Sequence, residues 1–361
     1  MVLGHLSPEV LNYFIAYLQF WGILPHDNFH KNKAMLVKNL MLMCSITFAL
    51  IFSYYLTVIT FYPHITTMHI AADVVKFIFN ISVPLTFLLH LMGGNTKWLK
   101  ILDYLNEVKG VAHFYAGEIR QLILYTNFVT ASLILYVSQS SKENTATSFF
   151  MKLPVVSLYY ESLCAVSICL VNKAITNQLL TIKIILHKLH KYQLNSLSSI
   201  KDIKRHYLGA VERTMILDTY FGGKILVNFG NSTTRLLGIF ISSIHYWNPE
   251  KFVTTLDVEW EQFSRALIVA VYGMIPAFII TTSCGKVTKS TDCLISSCYR
   301  LQYKFPYGSY EQRELNSLWK YISENKLVYT GMGFYQIQPS VLLGIIASST
   351  TYFIALIQFN G

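Results

Sequence analysis

Polar side chains recur at helical spacing in the last apolar segment of this 361-residue chain. In "TTYFIALIQF", Thr351, Ala355 and Gln358 follow at intervals of four and three residues, so a helix places them on one face together with Ile354. A hydroxyl and an amide are costly in lipid unless they face protein or water. The stripe therefore predicts either a close packing face against a neighbouring helix or the lining of an aqueous pore.

Ionisable side chains inside two further apolar segments are candidates for a binding site. Asp73 and Glu161 both lie within stretches long enough to cross a bilayer, and an ionisable group at such a depth is usually functional. Lys76 lies one turn from Asp73 and could pair with it, which would make that pair structural. The residue types leave both roles open for Asp73.

The composition of the chain is typical of a membrane protein. Hydrophobic residues make up 53% and charged residues 13% of it, whereas a soluble domain has roughly 25% charged residues. The net charge of +10 could suit nucleic acid, but the basic residues stand between apolar spans, where they set topology. The six cysteines form no cluster with histidine, so we expect no metal site. We also expect no cofactor and, because the basic residues stand between apolar spans, no nucleic-acid partner.

Seven segments are apolar over about 20 residues, the length that a helix needs to cross the hydrocarbon core. They are residues 35–61, 70–92, 121–139, 153–182, 225–247, 262–284 and 336–359. Most of the 29 Lys and Arg residues fall on the side of the membrane that also holds the N-terminus, which the positive-inside rule makes cytoplasmic. With seven crossings, the C-terminus is then extracellular.

This orientation and two missing signatures argue against two known classes of seven-helix protein. G-protein-coupled receptors have an extracellular N-terminus, and the sequence shows neither their acidic-Arg-Tyr triplet nor their Asn-Pro-x-x-Tyr signature. A retinal protein needs a Schiff-base lysine in its last span, and residues 336–359 contain none. We therefore expect a different kind of heptahelical protein.

Helical periodicity continues past the membrane on the cytoplasmic side. The fourth span continues through "NQLLTIKIILHKLHKYQL" to Leu194, which gives a helix about 60 Å long at 1.5 Å per residue. Similar extensions precede the fifth span and follow the sixth, and a helix over 311–327 places Leu315, Leu318 and Ile322 on one face. These apolar stripes predict a packed cytoplasmic bundle rather than separate loops.

We therefore expect an all-α membrane protein in which membrane helices alternate with cytoplasmic segments. The predicted order is a cytoplasmic N-terminal segment with an amphipathic interfacial helix (1–34), transmembrane helices 1–4 (35–182), a helical anchor segment (183–224), transmembrane helices 5–6 (225–284), a second anchor segment (285–335) and transmembrane helix 7 (336–361).

The end of the chain resembles a known family. "TYFIALIQF" has the Thr-Tyr, five hydrophobic residues and Gln-Phe that end insect gustatory receptors, and it stands at the chain end as it does there. The preceding "SVLLGIIASSTTY" and the N-terminal "LQFWGILP" are also similar to that family's flanks. Seven spans with a cytoplasmic N-terminus agree with the resemblance.

The resemblance implies a ligand-gated cation channel, similar to the related odorant receptors. Members of the family are tetramers whose final helices line a central pore and whose cytoplasmic helices hold the subunits together. It implies that Gln358 and Phe359 lie at or beside the gate, with Thr351, Ile354 and Ala355 as further lining. Tyr352, off that stripe, is expected to pack against neighbouring helices.

The resemblance also implies an extracellular-facing pocket for a small-molecule tastant among spans two to six. Polar and aromatic residues in the outer halves of these spans are the candidates for contact with a sugar or a bitter compound. They are His69, Asp73, Tyr136, Gln139, Tyr159, Tyr160, Glu161, His245, Tyr246, Trp247 and Trp260, with Arg235 nearby. The family's main sugar-sensing branch tends to carry Glu after the Thr-Tyr pair, where this chain has Phe353, so ligand identity stays open.

Three functions follow from the sequence. The first is a gustatory receptor that forms a homotetramer, or a heteromer with related receptors, in the plasma membrane of sensory neurons. The second is an obligate co-receptor subunit that binds no tastant itself. The third is a secondary transporter, for which broken helices or an internal repeat are expected. We expect no enzymatic activity.

Overall fold

The structure is a computed structural model that describes residues 153–192, 196–246 and 256–360, together with scattered helical positions before residue 132. Candidate ligand residues His69, Asp73, Tyr136, Gln139 and Trp247 lie outside the described residues. The described ranges contain five helices, here called α1 (Leu153–Tyr192), α2 (Ser196–Tyr246), α3 (Leu256–Gln302), α4 (Tyr310–Glu324) and α5 (Ser340–Asn360). The expectation of an all-helical protein is confirmed for this part of the chain.

Three of these helices are much longer than a bilayer is thick. They contain 40, 51 and 47 residues, or about 60 to 75 Å at 1.5 Å per residue. α2 runs unbroken through residue 224, where an anchor segment was expected to end and a membrane span to begin. The predicted extensions of the fourth, fifth and sixth spans are therefore continuous helices.

Two described helices contain stretches long and apolar enough to cross a membrane. These are Ser157–Lys188 in α1, with a mean hydropathy of 1.4, and Leu267–Gln302 in α3, with a mean hydropathy of 2.0. Ser340–Ala355 in α5 is a shorter apolar stretch. α5 begins at Ser340, four residues after the predicted start of the last span, because residues 336–339 belong to a turn that precedes it.

One continuous core joins all five helices. It includes Leu163 of α1, Phe221 of α2, Val287 of α3, Leu318 of α4 and Ile345 of α5, each at most 5% exposed. α1 packs along α3, α2 crosses both of them, and α5 lies mainly on α2. The core extends from the apolar stretches into the extensions without a gap.

The predicted stripe on α4 is the buried face of that helix. Leu315, Leu318 and Ile322 are buried, as the spacing of three and four residues requires. The helix begins at Ser309, whose hydroxyl accepts a hydrogen bond from the Gln312 backbone N–H at 3.2 Å. It ends at Glu324, three residues before the predicted end.

Buried Tyr207 joins α2 to the end of α4. Its hydroxyl donates to the backbone carbonyl of Asn325 at 2.8 Å, and its ring meets Tyr321 edge-on with centroids 6.2 Å apart. Burial raises the pKa of Tyr207 above its usual range, so the hydroxyl remains a donor. The helical extensions beyond the predicted spans are thus packed together as a bundle rather than separate.

Candidate ligand-site and pore residues

Glu161 on α1 forms a buried ion pair with Arg235 on α2. The guanidinium donates from Nη1 to Oε2 at 2.6 Å and from Nη2 to Oε1 at 2.8 Å. The side chains are 2% and 7% exposed, respectively. Such a two-pronged geometry is the strongest form of Arg–carboxylate contact, so each residue neutralises the other's charge inside the bundle.

Two further donors complete the surroundings of the Glu161 carboxylate. Asn231, one turn before Arg235, donates to Oε1 at 2.7 Å, and the Ser157 hydroxyl donates to the same oxygen at 3.3 Å. The sequence predicted Glu161 as a ligand contact. In the structure, protein donors contact both oxygens of its carboxylate, and a contact between Glu161 and a ligand stays a prediction.

The ion pair requires a glycine on the third helix. A Cβ on Gly273 of α3 would overlap Arg235 Cδ and would lie 2.9 Å from its Nη1. Ser232 adds a contact at the same place, because its hydroxyl donates to the Gly273 carbonyl at 3.1 Å. Arg235 can therefore reach Glu161 only because α3 has no side chain at this position.

The two tyrosines beside Glu161 are also buried. Tyr159 and Tyr160 are 8% and 3% exposed. The Tyr159 hydroxyl donates to Asn127 Oδ1 at 3.0 Å, and Tyr17 from the N-terminal segment donates to the same atom at 3.2 Å. Tyr159 thus contacts Asn127 of the predicted third span, the residue that Tyr17 of the N-terminal segment also contacts.

The remaining described candidates are located only at the level of the backbone. His245 and Tyr246 end α2, and Trp260 lies in the second turn of α3. Their side chains lie outside the described residues, so their membership of a pocket stays a prediction.

One face of α5 packs on the chain and the other does not. Ile345 and Ser349 are buried, the Ser349 hydroxyl donates to the Thr233 carbonyl on α2 at 3.1 Å, and Phe353 packs against Phe240 with ring centroids 5.1 Å apart. Among the predicted pore residues, Thr351, Ile354 and Gln358 are exposed and Ala355 is half-buried. The side chain of Phe359 lies outside the described residues.

Tyr352 differs from the expectation that it packs against neighbouring helices. It is 61% exposed in the single chain, although it follows the buried residues Ile345 and Ser349 by seven and three residues, a spacing that places all three on one side of α5. No helix within the described part of this chain covers it.

A tight turn connects α4 to α5. Thr330 and Gln336 form an isolated antiparallel bridge, and the Ile337 N–H donates to the Tyr329 carbonyl at 2.9 Å. Met332 and Gly333 have φ angles of 53° and 79°, so the chain reverses through two left-handed residues, a conformation that glycine adopts without strain. We call residues 325–339 the linker.

The linker is attached to α2 by a carboxylate clamp. Asp218 accepts a hydrogen bond from the Thr330 backbone N–H at 2.7 Å through Oδ1, and one from the Thr330 hydroxyl at 2.6 Å through Oδ2. The turn lies directly on α2, because a Cβ on Gly222 would come within 3.2 Å of the Met332 backbone nitrogen.

The linker is attached to α3 as well. Lys326 pairs with Asp292 at 2.7 Å, and the Thr288 hydroxyl donates to the Leu327 carbonyl at 3.2 Å. A Cβ on Gly285 would lie 3.0 Å from Pro339 Cδ. The start of α5 is therefore positioned by both α2 and α3.

Comparison with solved structures identifies the architecture. The insect olfactory receptor OR5 from Machilis hrabei matches with a TM-score of 0.70 and 13% identity, over 97% of this chain and 98% of that chain. The chain has the fold of an insect olfactory receptor. A second structure of the same receptor, in complex with eugenol, matches with a TM-score of 0.64 over 97% of this chain and 99% of that chain, again at 13% identity.

At this identity the similarity concerns the fold. No protein-family model and no curated protein sequence matches the chain. The olfactory-receptor fold and the two long apolar helices agree with the expectation of a membrane protein.

Two features of the structure were not predicted from the sequence. They are the hydrogen bonds between Asp218 and Thr330, and the absence of a side chain at Gly273 that leaves room for Arg235. The glycine-containing run "TGMGFYQ" before the last span is typical of a turn and could have indicated one. Asp218 stands among other polar residues of α2 and carries no comparable signal. Its partner is recognisable only once the turn is placed on the helix.

Proposed function

We propose that this chain is a chemosensory receptor of the plasma membrane that acts as a ligand-gated cation channel. The near-complete match to the fold of an insect olfactory receptor is the observation that carries the proposal. The terminal "TYFIALIQF" specifies the gustatory branch, so the ligand is a tastant such as a sugar or a bitter compound. Seven spans, a cytoplasmic N-terminus and a tetramer belong to the same proposal.

The pore is formed by the uncovered face of α5. Thr351, Ile354 and Gln358 share that face and make no packing contact that would exclude water. In a tetramer with a central axis, four copies of Ile354 form an apolar constriction and four copies of Gln358 an outer polar ring. Such a constriction closes by excluding water and conducts once it is wetted.

The ligand pocket lies in the outer half of the bundle near Tyr159 and Tyr160, and Glu161 positions its wall through Arg235. A small aromatic molecule suits a site lined by tyrosines and a few hydrogen-bonding groups. Eugenol, bound by the structural neighbour, is therefore a useful probe beside sugars and bitter compounds.

Whole-cell recording of the chain expressed alone tests the function. We expect cation current on addition of at least one member of a panel of sugars, bitter compounds and eugenol. Current that appears only when a related receptor is co-expressed would favour the obligate co-receptor subunit. Uptake of the compound without current would favour a transporter.

Gln358→Ala tests the pore assignment in the same recordings. We expect altered relative permeability to sodium and potassium and an altered basal current, because the outer polar ring loses its amides. Gln338→Ala is the matched control, since Gln338 is exposed but precedes α5 at its opposite end. Unchanged permeability and basal current in Gln358→Ala would contradict a pore-facing position.

A further inference from the structure

The amide of Asn228 on α2 is buried among the helices. The residue is 2% exposed, and neither its Nδ2 nor its Oδ1 makes a hydrogen bond to any residue that the structure describes. Buried amides in proteins nearly always have hydrogen-bond partners, because a donor and an acceptor left dry are costly. We therefore expect a partner for this amide from outside the polypeptide.

The neighbours of Asn228 on α2 show which way its side chain points. Asn231, three residues later, donates to Glu161 of α1 at 2.7 Å. Ser232, four residues later, donates to the Gly273 carbonyl of α3 at 3.1 Å. On a helix these two residues lie one turn further along and to either side of Asn228. Asn228 therefore points into the groove between α1 and α3.

Contacts between the helices show how they run relative to one another. Two pairs of residues join α1 to α2 and two join α1 to α3, in each case one pair early in α1 and one further along it. They are Glu161 with Asn231 and Gln178 with Arg213, and Leu158 with Tyr272 and Asn172 with Ser283. Along α1 the partner numbers fall on α2 and rise on α3, so α2 is antiparallel to both of the other helices.

The residues at the level of Asn228 on the other two helices are small. Because Asn228 precedes the α2 partners of Glu161 and Gly273 by one turn, the antiparallel register places it beside residues one turn after them. These residues are Cys164 on α1 and Ala277 on α3, which are 4% and 0% exposed. Side chains of this size leave space for a molecule as small as water beside the amide.

α3 also contributes a polar backbone group at this level. Pro276 lies inside α3 and has no N–H, so it cannot donate to the Tyr272 carbonyl one turn before it. Tyr272 packs with Leu158 of α1, which places this side of α3 on the same groove. The Tyr272 carbonyl is thus an acceptor that lacks its usual helical donor.

We propose that Asn228 and the Tyr272 carbonyl bind ordered water in the groove between α1, α2 and α3. Water both donates and accepts hydrogen bonds, so one molecule accepts from Asn228 Nδ2 and donates to the carbonyl. Oδ1 accepts from the same cluster. Such a bridge joins α2 to α3 at the proline and can break and re-form when the two helices slide. The proposal requires neither a tastant nor channel activity.

Radiolytic X-ray footprinting of the purified full-length chain in detergent tests the site. The X-ray pulse makes hydroxyl radicals from ordered water, and these radicals oxidise the nearest side chains, which mass spectrometry identifies. We expect oxidation of the Cys164 thiol although it is buried, because it lies beside the bound water. Phe229, which is 4% exposed and stacked on Tyr335, should stay unmodified.

Asn228→Leu is the diagnostic change, because leucine is close to asparagine in size and shape but has no polar atom. It should abolish the oxidation of Cys164. Asn228→Ser is the matched control, since the serine hydroxyl still bonds water, and it should keep the oxidation. An unmodified Phe229 in both variants shows that the packing of α2 is intact.

Three results would overturn the proposal. The first is a wild-type chain in which Cys164 is not oxidised. The second is equal oxidation of Cys164 in Asn228→Leu while Phe229 stays protected. The third is a density map of the wild type that shows a protein or lipid atom, rather than water, at hydrogen-bonding distance from the Asn228 amide. That map decides the matter even if the leucine variant does not fold, and a channel that conducts normally without this water would reject the inference while leaving the proposed function intact.

Discussion

Glu161 is held by three neighbours before any ligand arrives. Arg235, Asn231 and Ser157 together contact both of its oxygens, so these three side chains fix the position of the carboxylate. A charged pair inside apolar helices specifies which faces of α1 and α2 meet, because any other register would leave both charges alone.

Removing one member of the ion pair should be more damaging than removing both. We expect Glu161→Ala to lower stability by about 3–5 kcal/mol, because it leaves the Arg235 guanidinium buried without its carboxylate. The double variant Glu161→Leu with Arg235→Met should recover much of that loss. Unfolding temperatures of the detergent-solubilised proteins measure both effects, and a double variant less stable than Glu161→Ala would contradict a mainly structural pair.

The sequence identified Glu161 as notable but did not predict its contact with Arg235. Both Glu161 and Arg235 stand out as charges inside apolar segments, and hydropathy marks each one separately. Glu161 and Arg235 are 74 residues apart in the sequence, so their pairing depends on how α1 and α2 pack. Gly273 permits this pairing because it has no side chain, and that is visible only in the three-dimensional structure.

The linker connects α4 to α5. It follows α4, whose apolar stripe is buried, and it precedes α5. Its attachment to α2 by Asp218 and to α3 by Asp292 means that a movement of either helix reaches the first turn of α5.

Loss of the hydrogen bonds between Asp218 and Thr330 should change how α5 responds to ligand binding. We expect Asp218→Asn to weaken two hydrogen bonds to a charged acceptor, each worth about 1.5–3 kcal/mol, and to shift the basal current and the half-maximal ligand concentration. Asp202→Asn, at an exposed carboxylate on the same helix, is the control.

A double-mutant cycle in the same recordings assigns the effect to the contact with Thr330. Asp218→Asn combined with Thr330→Val should have less than the sum of the two single effects, because Thr330→Val removes the hydroxyl that donates to Asp218, one of the two hydrogen bonds that Asp218→Asn weakens. Fully additive shifts would show that Asp218 acts elsewhere.

At the scale of the whole molecule, the uncovered face of α5 indicates assembly. Exposed Leu343, Ile346, Ile354 and Ile357 form an apolar surface on a helix whose other face is packed on α2. A tetramer with α5 near its axis would cover this surface.

Disulfide cross-linking tests that arrangement. In a background with the exposed Cys44 and Cys293 replaced by Ser, Ile354→Cys should form oxidised dimers of the 41.3 kDa chain, because the four copies converge. Ile345→Cys, buried on the opposite face, should remain monomeric on a denaturing gel. Equal cross-linking at both positions would contradict a central location of α5.

Periodicity predicted the long helices well, because their stripes are local and strong. The face of α4 and the continuation of α1 past the bilayer follow from spacing at Leu315, Leu318 and Ile322 and in the run to Leu194. α5 begins four residues after the predicted start of the last span, because Gln336 and Ile337 pair with Thr330 and Tyr329 in the turn that precedes it. Contacts between residues that are far apart in the sequence have no local pattern from which they could be predicted.

The unbroken length of α2 has a mechanical consequence. Tyr207 bonds the first half of α2 to the residue that follows α4, and Arg235 lies towards the other end of α2. Asp218 lies between them, at about two-fifths of the roughly 42 Å that separate them at 1.5 Å per residue. If the rod pivots at Tyr207, a sideways displacement of about 2 Å at Arg235 arrives at Asp218 as about 0.8 Å. A shift of that size is enough to stretch a hydrogen bond of 2.6 Å beyond its useful range. A helix that pivots in this way reduces a movement at Arg235 to a smaller displacement at Asp218, comparable with the change in length that breaks one hydrogen bond.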